Sequence, residues 1–360
     1  MADGFIWGGF EGASHRRFDG QRVDSIHASG HDRWAMLDHA ILRSLGIRCA
    51  RESFRWHLIE IRPGEYDFSS ALQQVRAARA AGVKVVWGLC HWGVPDHIDV
   101  MGPCFPRKLA DFARAALRML REEVSDIGGW VPINEMAFWS WAGGHKGGFS
   151  PYLSDRGDDL KNQLVHGHLA VAKALREEGN FHPIIVCEPL IWIHPEEGGE
   201  EEAYLIRLKM EGAFAAVEAI LLADPTAIDV LGLNYYRHNQ WTVPGRQINP
   251  GEPGHRPLRY LLNDAAKRLA LPIAITETGA EEPFGTDWLE HITEEVAAAL
   301  AMGVDLRGIC IYPIMDYAGW DNGRHCPCGP IGHRNGQRYV RAAQHQAVLK
   351  LDALRCRVFA

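Results

Sequence analysis

The feature that most constrains this 360-residue chain is an alternation. A short apolar run is followed by a helical pattern, eight times over. The runs fall near 5–9, 47–50, 83–90, 130–134, 183–187, 228–233, 272–277 and 308–313. The helical patterns fall near 32–45, 70–81, 106–125, 158–178, 200–223, 256–270, 288–302 and 339–351. Gly46, Gly82 and Gly303 stand where helices stop, and Pro106 where one starts. Strict strand–helix alternation calls for a parallel sheet, and eight units close an α/β barrel. The expected fold class is α/β, a (β/α)8 TIM barrel. An open doubly wound sheet would favour a glycine-rich phosphate turn after an early strand, and none is clear. No linker or constant-period repeat interrupts residues 1–360, so one catalytic domain is expected.

Composition narrows the partners. Apolar residues make up 47% of the chain, enough for a full core, and the net charge of -7 is spread along it. No basic stripe invites nucleic acid, and no apolar run approaches the ~20 residues of a membrane span. Residues 1–9 lack a basic leader, so the expected location is cytoplasmic. The oligomeric state is not legible. Four of the eight cysteines (Cys49, Cys90, Cys187, Cys310) end apolar runs, as small buried residues do. The segment His325-Cys326-Pro327-Cys328, with His333, lacks the usual spacing of a zinc site and reads as a proline-stiffened loop. No metal and no cofactor is expected.

Each apolar run ends in polar or aromatic residues, and in a barrel these ends meet at one mouth. They are Glu11 and His15 after the first run, then Arg51, His91, Glu135, Glu188, Tyr236, Glu277, and Asp316 or Trp320 after the last. Burying so many polar groups costs free energy unless they pair, so their convergence points to a site. The fourth and seventh runs each deliver a glutamate. Glycosidic cleavage needs one carboxyl to protonate the leaving oxygen and one carboxylate at the anomeric carbon. A gap of about 5–5.5 Å between them gives retention, and a wider gap gives inversion. Arg51 beside Glu277 would keep that group ionised, whereas burial would keep Glu135 protonated. Trp92, Trp130, Trp139, Trp141, Trp192, Trp241 and Trp320 fall in or near the same rim, about half of them expected as core and the rest as sugar-stacking surfaces.

These residues resemble the family 1 glycoside hydrolases of clan A, the retaining β-glucosidase type of (β/α)8 barrel. Phe5-Ile6-Trp7-Gly8 is similar to the family's F-x-W-G, and Arg51-Glu52-Ser53-Phe54-Arg55-Trp56 to its R-F-S-x-x-W. Arg62-Pro63-Gly64-Glu65-Tyr66-Asp67 resembles the segment that follows. His91-Trp92-Gly93-Val94-Pro95 matches H-W-x-x-P, Asn134-Glu135 the N-E pair, Gly232-Leu233-Asn234-Tyr235-Tyr236 G-x-N-Y-Y, and Ile275-Thr276-Glu277-Thr278-Gly279 I-T-E-N-G. The resemblance implies Glu135 as acid/base and Glu277 as nucleophile. It also implies Asn134 on the sugar 2-hydroxyl, His91 on another hydroxyl, and Arg51 and Tyr236 on the nucleophile. Asn234, Trp92, Trp320, Glu11, His15 and Asp316 complete the expected carbohydrate site.

The departures concern the sugar. The family's glutamine after the first strand is replaced near His15, and Asp316-Tyr317-Ala318-Gly319-Trp320 has glycine where N-F-E-W has glutamate. Met136 and Thr278 replace a proline and an asparagine, and the chain is shorter than a usual member. A sugar other than plain glucose is therefore expected. Glu188 and His194 match no family role, and either replaces a lost sugar contact or, for Glu188, forms a plain ion pair. A transglycosylase, a sugar-binding barrel without turnover, and a metal hydrolase built on the histidines are the competing readings. The last lacks a paired-histidine motif on the first strand.

Overall fold

The computed structural model describes residues 4–195, 200–243, 245–320, 322–334 and 336–358. Eight parallel strands form one sheet: β1 (Ile6–Gly9), β2 (Cys49–Ser53), β3 (Lys84–Cys90), β4 (Gly129–Ile133), β5 (Ile185–Pro189), β6 (Val230–Asn234), β7 (Ile273–Thr278) and β8 (Leu306–Ile311). Their order is β4-β3-β2-β1-β8-β7-β6-β5. Two parallel bridges, Trp130 with Ile184 and Asn134 with Cys187, join the end strands and close the barrel. Eight helices alternate with them: α1 (His31–Ser44), α2 (Ser69–Ala81), α3 (Phe105–Glu123), α4 (Gly157–Glu177), α5 (Glu200–Ala223), α6 (Leu258–Leu269), α7 (Gly285–Ala301) and α8 (Ala342–Asp352). The fold is the (β/α)8 barrel that the alternation predicts.

Period-2 strands create two cores. Inward positions supply Trp7, Cys49, Val86, Val131, Ile185, Val230, Ala274 and Cys310, from all eight strands. Trp7 fits because a neighbour is small: a Cβ on Gly308 would lie 2.6 Å from its ring. Outward positions pack on helical stripes such as Leu109, Phe112, Ala113, Ala116, Leu117 and Leu120 of α3. That spacing keeps one helical face apolar. All eight cysteines are free thiols, with Cys104 and Cys356 exposed and the rest buried. No helix among the described residues is long and apolar enough to cross a membrane.

Three local features go beyond the alternation or depart from it. The stretch after β4 begins with a helical turn, Met136–Trp139, that runs into a π-helical turn, Ser140–His145. Buried Trp139 pins it, donating from Nε1 to the Ser150 carbonyl at 2.8 Å. Arg62-Pro63-Gly64 belongs to the tip of a hairpin pairing Glu60–Arg62 with Glu65–Tyr66. Tyr339 does not start the last helix but lies in a second hairpin, Ile331–Arg334 with Gln337–Val340. It pairs with Gly332, whose missing side chain leaves room for its ring.

Candidate active site

The carboxyl ends of the strands build the mouth from β2 outward. Along β2, Cys49 and Arg51 face the barrel interior, and Ala50 and Glu52 face the helices. Arg51 donates from Nη1 to Glu277 Oε1 at 2.5 Å and to the Thr276 carbonyl at 3.1 Å, and from Nη2 to Asn134 Oδ1. Glu277 Oε2 accepts from the Tyr236 hydroxyl at 2.6 Å. Both oxygens of Glu277 are thus held, one by a cation. A register shift in β7 between Ile275 and Glu277, relative to β6, marks a bulge at this point. Bulges beside active sites re-aim side chains.

Glu135 follows β4 and sits across the barrel from β7. Its Oε1 accepts from Asn234 Nδ2 at 2.8 Å, and Asn234 Oδ1 accepts from Thr276 Oγ1 at 2.7 Å. Burial, and then the charge of Glu277, push the Glu135 carboxyl well above its ordinary range. Its backbone has φ 43° and ψ 66°, a left-handed conformation unusual for a residue with a side chain. Asn134 binds Arg51 through its oxygen and meets His91 Nε2 at 3.1 Å through Nδ2.

A second set lines the side of β1, β3 and β8. Glu11 accepts from the Ala13 N–H at 2.9 Å and lies 3.9 Å from His91 Nε2. Burial and the charge of Glu277 push it up to about 7. His15 is fully buried against Phe149, Trp92 and Trp320, and burial, with Arg22 and Arg17 nearby, pulls its pKa down to about 3. Both ring nitrogens of His15, Nδ1 of His91 and Nε1 of Trp320 are buried without a protein partner. Trp92 packs edge-on to Trp320 at 5.0 Å and donates from Nε1 to the Asn134 carbonyl at 2.8 Å.

Tyr312 was not among the residues the sequence singled out. Its hydroxyl reaches Glu11 at 3.4 Å, and the Arg51 guanidinium lies 5.1 Å from its ring centroid. A Cβ on Gly9 would sit 2.1 Å from that ring, so glycine there makes the approach possible. Thr276, Phe138 and Phe149 were also passed over. Tyr312 ends the eighth apolar run, the same signal that picked out Tyr236.

Two expected sugar contacts face protein instead. Glu188 is fully buried, and its two oxygens accept from the Met136 and Ala137 N–H groups, each at 3.0 Å. It is neither a sugar ligand nor a plain ion pair here, because two backbone donors occupy it. Asp316 accepts from the N–H groups of Cys328 at 2.9 Å and His333 at 2.8 Å and pairs with Arg341, anchoring the segment after β8. Asn234 supports Glu135 and has both side-chain atoms engaged. His194 lies in a strand, Trp192–Pro195, packed on Gly254. Trp130 bonds Asn180 and Trp192 bonds the Gly254 carbonyl, so both serve packing. Among the described residues, the group with metal-type spacing is His31, His39 and Glu52, on the outer face of β2 and away from the mouth. Its 2.9 Å separations are hydrogen-bond lengths.

No family model matches the chain. It is 26% identical to thermostable β-glucosidase B of Thermobispora bispora, over 90% of this chain and 84% of that protein. It is 23% identical to the chloroplastic β-glucosidase-like protein SFR2 of Oryza sativa subsp. japonica, over 69% of this chain and 42% of that one. A β-glucosidase from Thermotoga maritima in complex with glucoimidazole superposes with TM-score 0.80 at 16% identity, covering 97% of this chain and 98% of that one. A family 1 β-glucosidase from the same organism, in complex with isofagomine lactam, gives 0.80 at 17% identity and the same coverage. At such identities the superpositions speak for the fold. The chain is similar in sequence to β-glucosidases over most of its length and shares the barrel of a family 1 β-glucosidase.

Proposed function

We propose that this protein is a retaining β-glycosidase acting on O-glycosidic bonds, with Glu277 as nucleophile and Glu135 as acid/base. The observation that carries the reading is the unequal treatment of two carboxyls at one mouth. Glu277 lies between the Arg51 guanidinium and the Tyr236 hydroxyl, with one oxygen held by each. Glu135 is buried, receives an amide donor and is driven toward its protonated form. One carboxyl held by a cation and one driven toward its protonated form suit the nucleophile and the acid of glycoside cleavage.

In the first step a Glu277 oxygen bonds to the anomeric carbon, the bond to the leaving oxygen breaks, and the Glu135 proton passes to that oxygen. In the second, Glu135 takes a proton from water, the water oxygen bonds to the anomeric carbon, and Glu277 is released. Asn134 and His91 would contact sugar hydroxyls, with the unpartnered nitrogens of His15 and Trp320 as further contacts. This altered set supports a sugar other than plain glucose. The whole chain acts as a single domain in this reading.

The test is a screen of aryl β-glycosides and natural oligosaccharides, with product anomers followed by NMR. A β-anomer released first supports retention. An α-anomer released first overturns it. Transfer of the sugar to a non-water acceptor in preference to water would favour a transglycosylase.

A further inference from the structure

We propose that Glu188 is the positioning residue of the acid/base: its side chain grips the backbone after Glu135 and fixes where the proton donor stands. The proposal rests on the assignment of Glu135 given above.

Glu135 adopts a left-handed backbone, which is strained for a residue with a side chain. Such a conformation persists only when its surroundings hold it. Two consecutive residues of β5 do so. The Cys187 carbonyl accepts the N–H of Glu135 itself at 2.8 Å. The Glu188 side chain then takes the next two N–H groups, Met136 on Oε1 and Ala137 on Oε2. One oxygen per adjacent donor is a forked arrangement that fixes direction as well as distance. Glu188 has no exposed surface, so water does not compete for these oxygens. Burial outweighs the two N–H donors and leaves its pKa at about 8. The grip itself is geometric: each oxygen accepts from one N–H.

The grip sits where the barrel has least lacing. Strands β4 and β5 share two isolated bridges, whereas their other neighbours are joined by continuous ladders. Asn234 fixes the tip of the Glu135 side chain, and Glu188 fixes its root. A misplaced root moves the carboxyl relative to the leaving oxygen, and a shift near 1 Å can cost ~10²-fold in rate.

The test compares E188Q, E188A and E135A with wild type on two aryl glycosides of the accepted sugar. A dinitrophenyl leaving group departs without a proton, whereas an unsubstituted phenyl group needs one. For E188A we expect kcat/KM to fall ~10²-fold on the phenyl glycoside and within about threefold on the dinitrophenyl one. E188Q keeps the shape and one acceptor and should fall between E188A and wild type. Equal losses on both substrates would mark Glu188 as merely structural and overturn the proposal, as would no loss on either. E135A separates the two layers. If E135A shows the leaving-group split and the Glu188 variants do not, only the Glu188 role fails. If E135A shows no split, the acid/base assignment fails and takes the Glu188 role with it. A folded E188Q suffices for judgement should E188A fail to fold.

Discussion

Arg51 and Glu52 are neighbours on one strand, and they anchor two buried charge clusters of opposite character. Arg51 points into the mouth, toward Glu277, Asn134 and Tyr312. Glu52 points outward under α1, where Oε1 meets His31 and His39 at 2.9 Å each and Oε2 meets Gln74 at 2.7 Å. His31 continues to Asp38, and Asp38 to Arg338. In the outer cluster every carboxylate oxygen is taken, and Asp38 and Glu52 are fully buried. Burial alone would lower the His31 pKa, but Glu52 and Asp38 more than reverse it and hold it at about 9. Two cations thus face two anions.

The mouth reaches its balance differently. It has one guanidinium for Glu277, while Glu135 and Glu11 are pushed toward their neutral acids. Glu135 and Glu277 keep 8% and 5% of their surface exposed. A cluster that closes on itself holds elements together. One that balances by storing a proton at an accessible carboxyl can give that proton away.

The comparison can be broken in order of effect. E277Q should cut turnover by more than ~10³-fold while circular dichroism and the melting midpoint stay near wild type. E135A should lose ~10²–10⁴-fold on substrates that need leaving-group protonation. Azide should restore activity on activated aryl glycosides, and its failure to do so in a folded variant would remove the acid/base role. E52A should do the converse, destabilising by about 3–5 kcal/mol in denaturant titration because His31 and His39 lose their shared acceptor. Per folded molecule its turnover should change little. A large loss of turnover at full folding would mean that the two clusters are coupled through β2.

The smallest effect is in pH. The contribution of His31 is complete below its ordinary value of 6.5 and lost as pH rises through about 9. Burial would raise Glu52, but His31 and His39 hold it at about 2, so its contribution is complete above 4.5 and lost as pH falls through about 2. The outer cluster therefore stabilises most between about pH 4.5 and 6.5. Melting midpoints should decline from pH 6.5 to 9, and E52A should flatten that slope.

The barrel was legible because each strand is a short apolar run closed by a polar residue and three of the helices stop at a glycine. Glu135 and Glu277 stood out for the same reason. Glu188 and Asp316 looked identical to them in sequence, since a carboxylate at a strand end does not disclose whether it faces a ligand or a backbone N–H. That distinction depends on the path of the following segment, which after Glu135 turns helical at Met136–Trp139. Glu52 was hidden by period 2. It lay inside a motif read for Arg51, and its partners come from the helices before and after β2, His31 and His39 on one and Gln74 on the other.

The join between β4 and β5 has a further consequence. The strand pair joined by two isolated bridges carries the proton donor, while the attacking group stands on a strand paired along both edges. Gentle warming should then disable the molecule before it melts: catalysis fades when the first and second halves of the ring begin to part, well before ellipticity reports any loss.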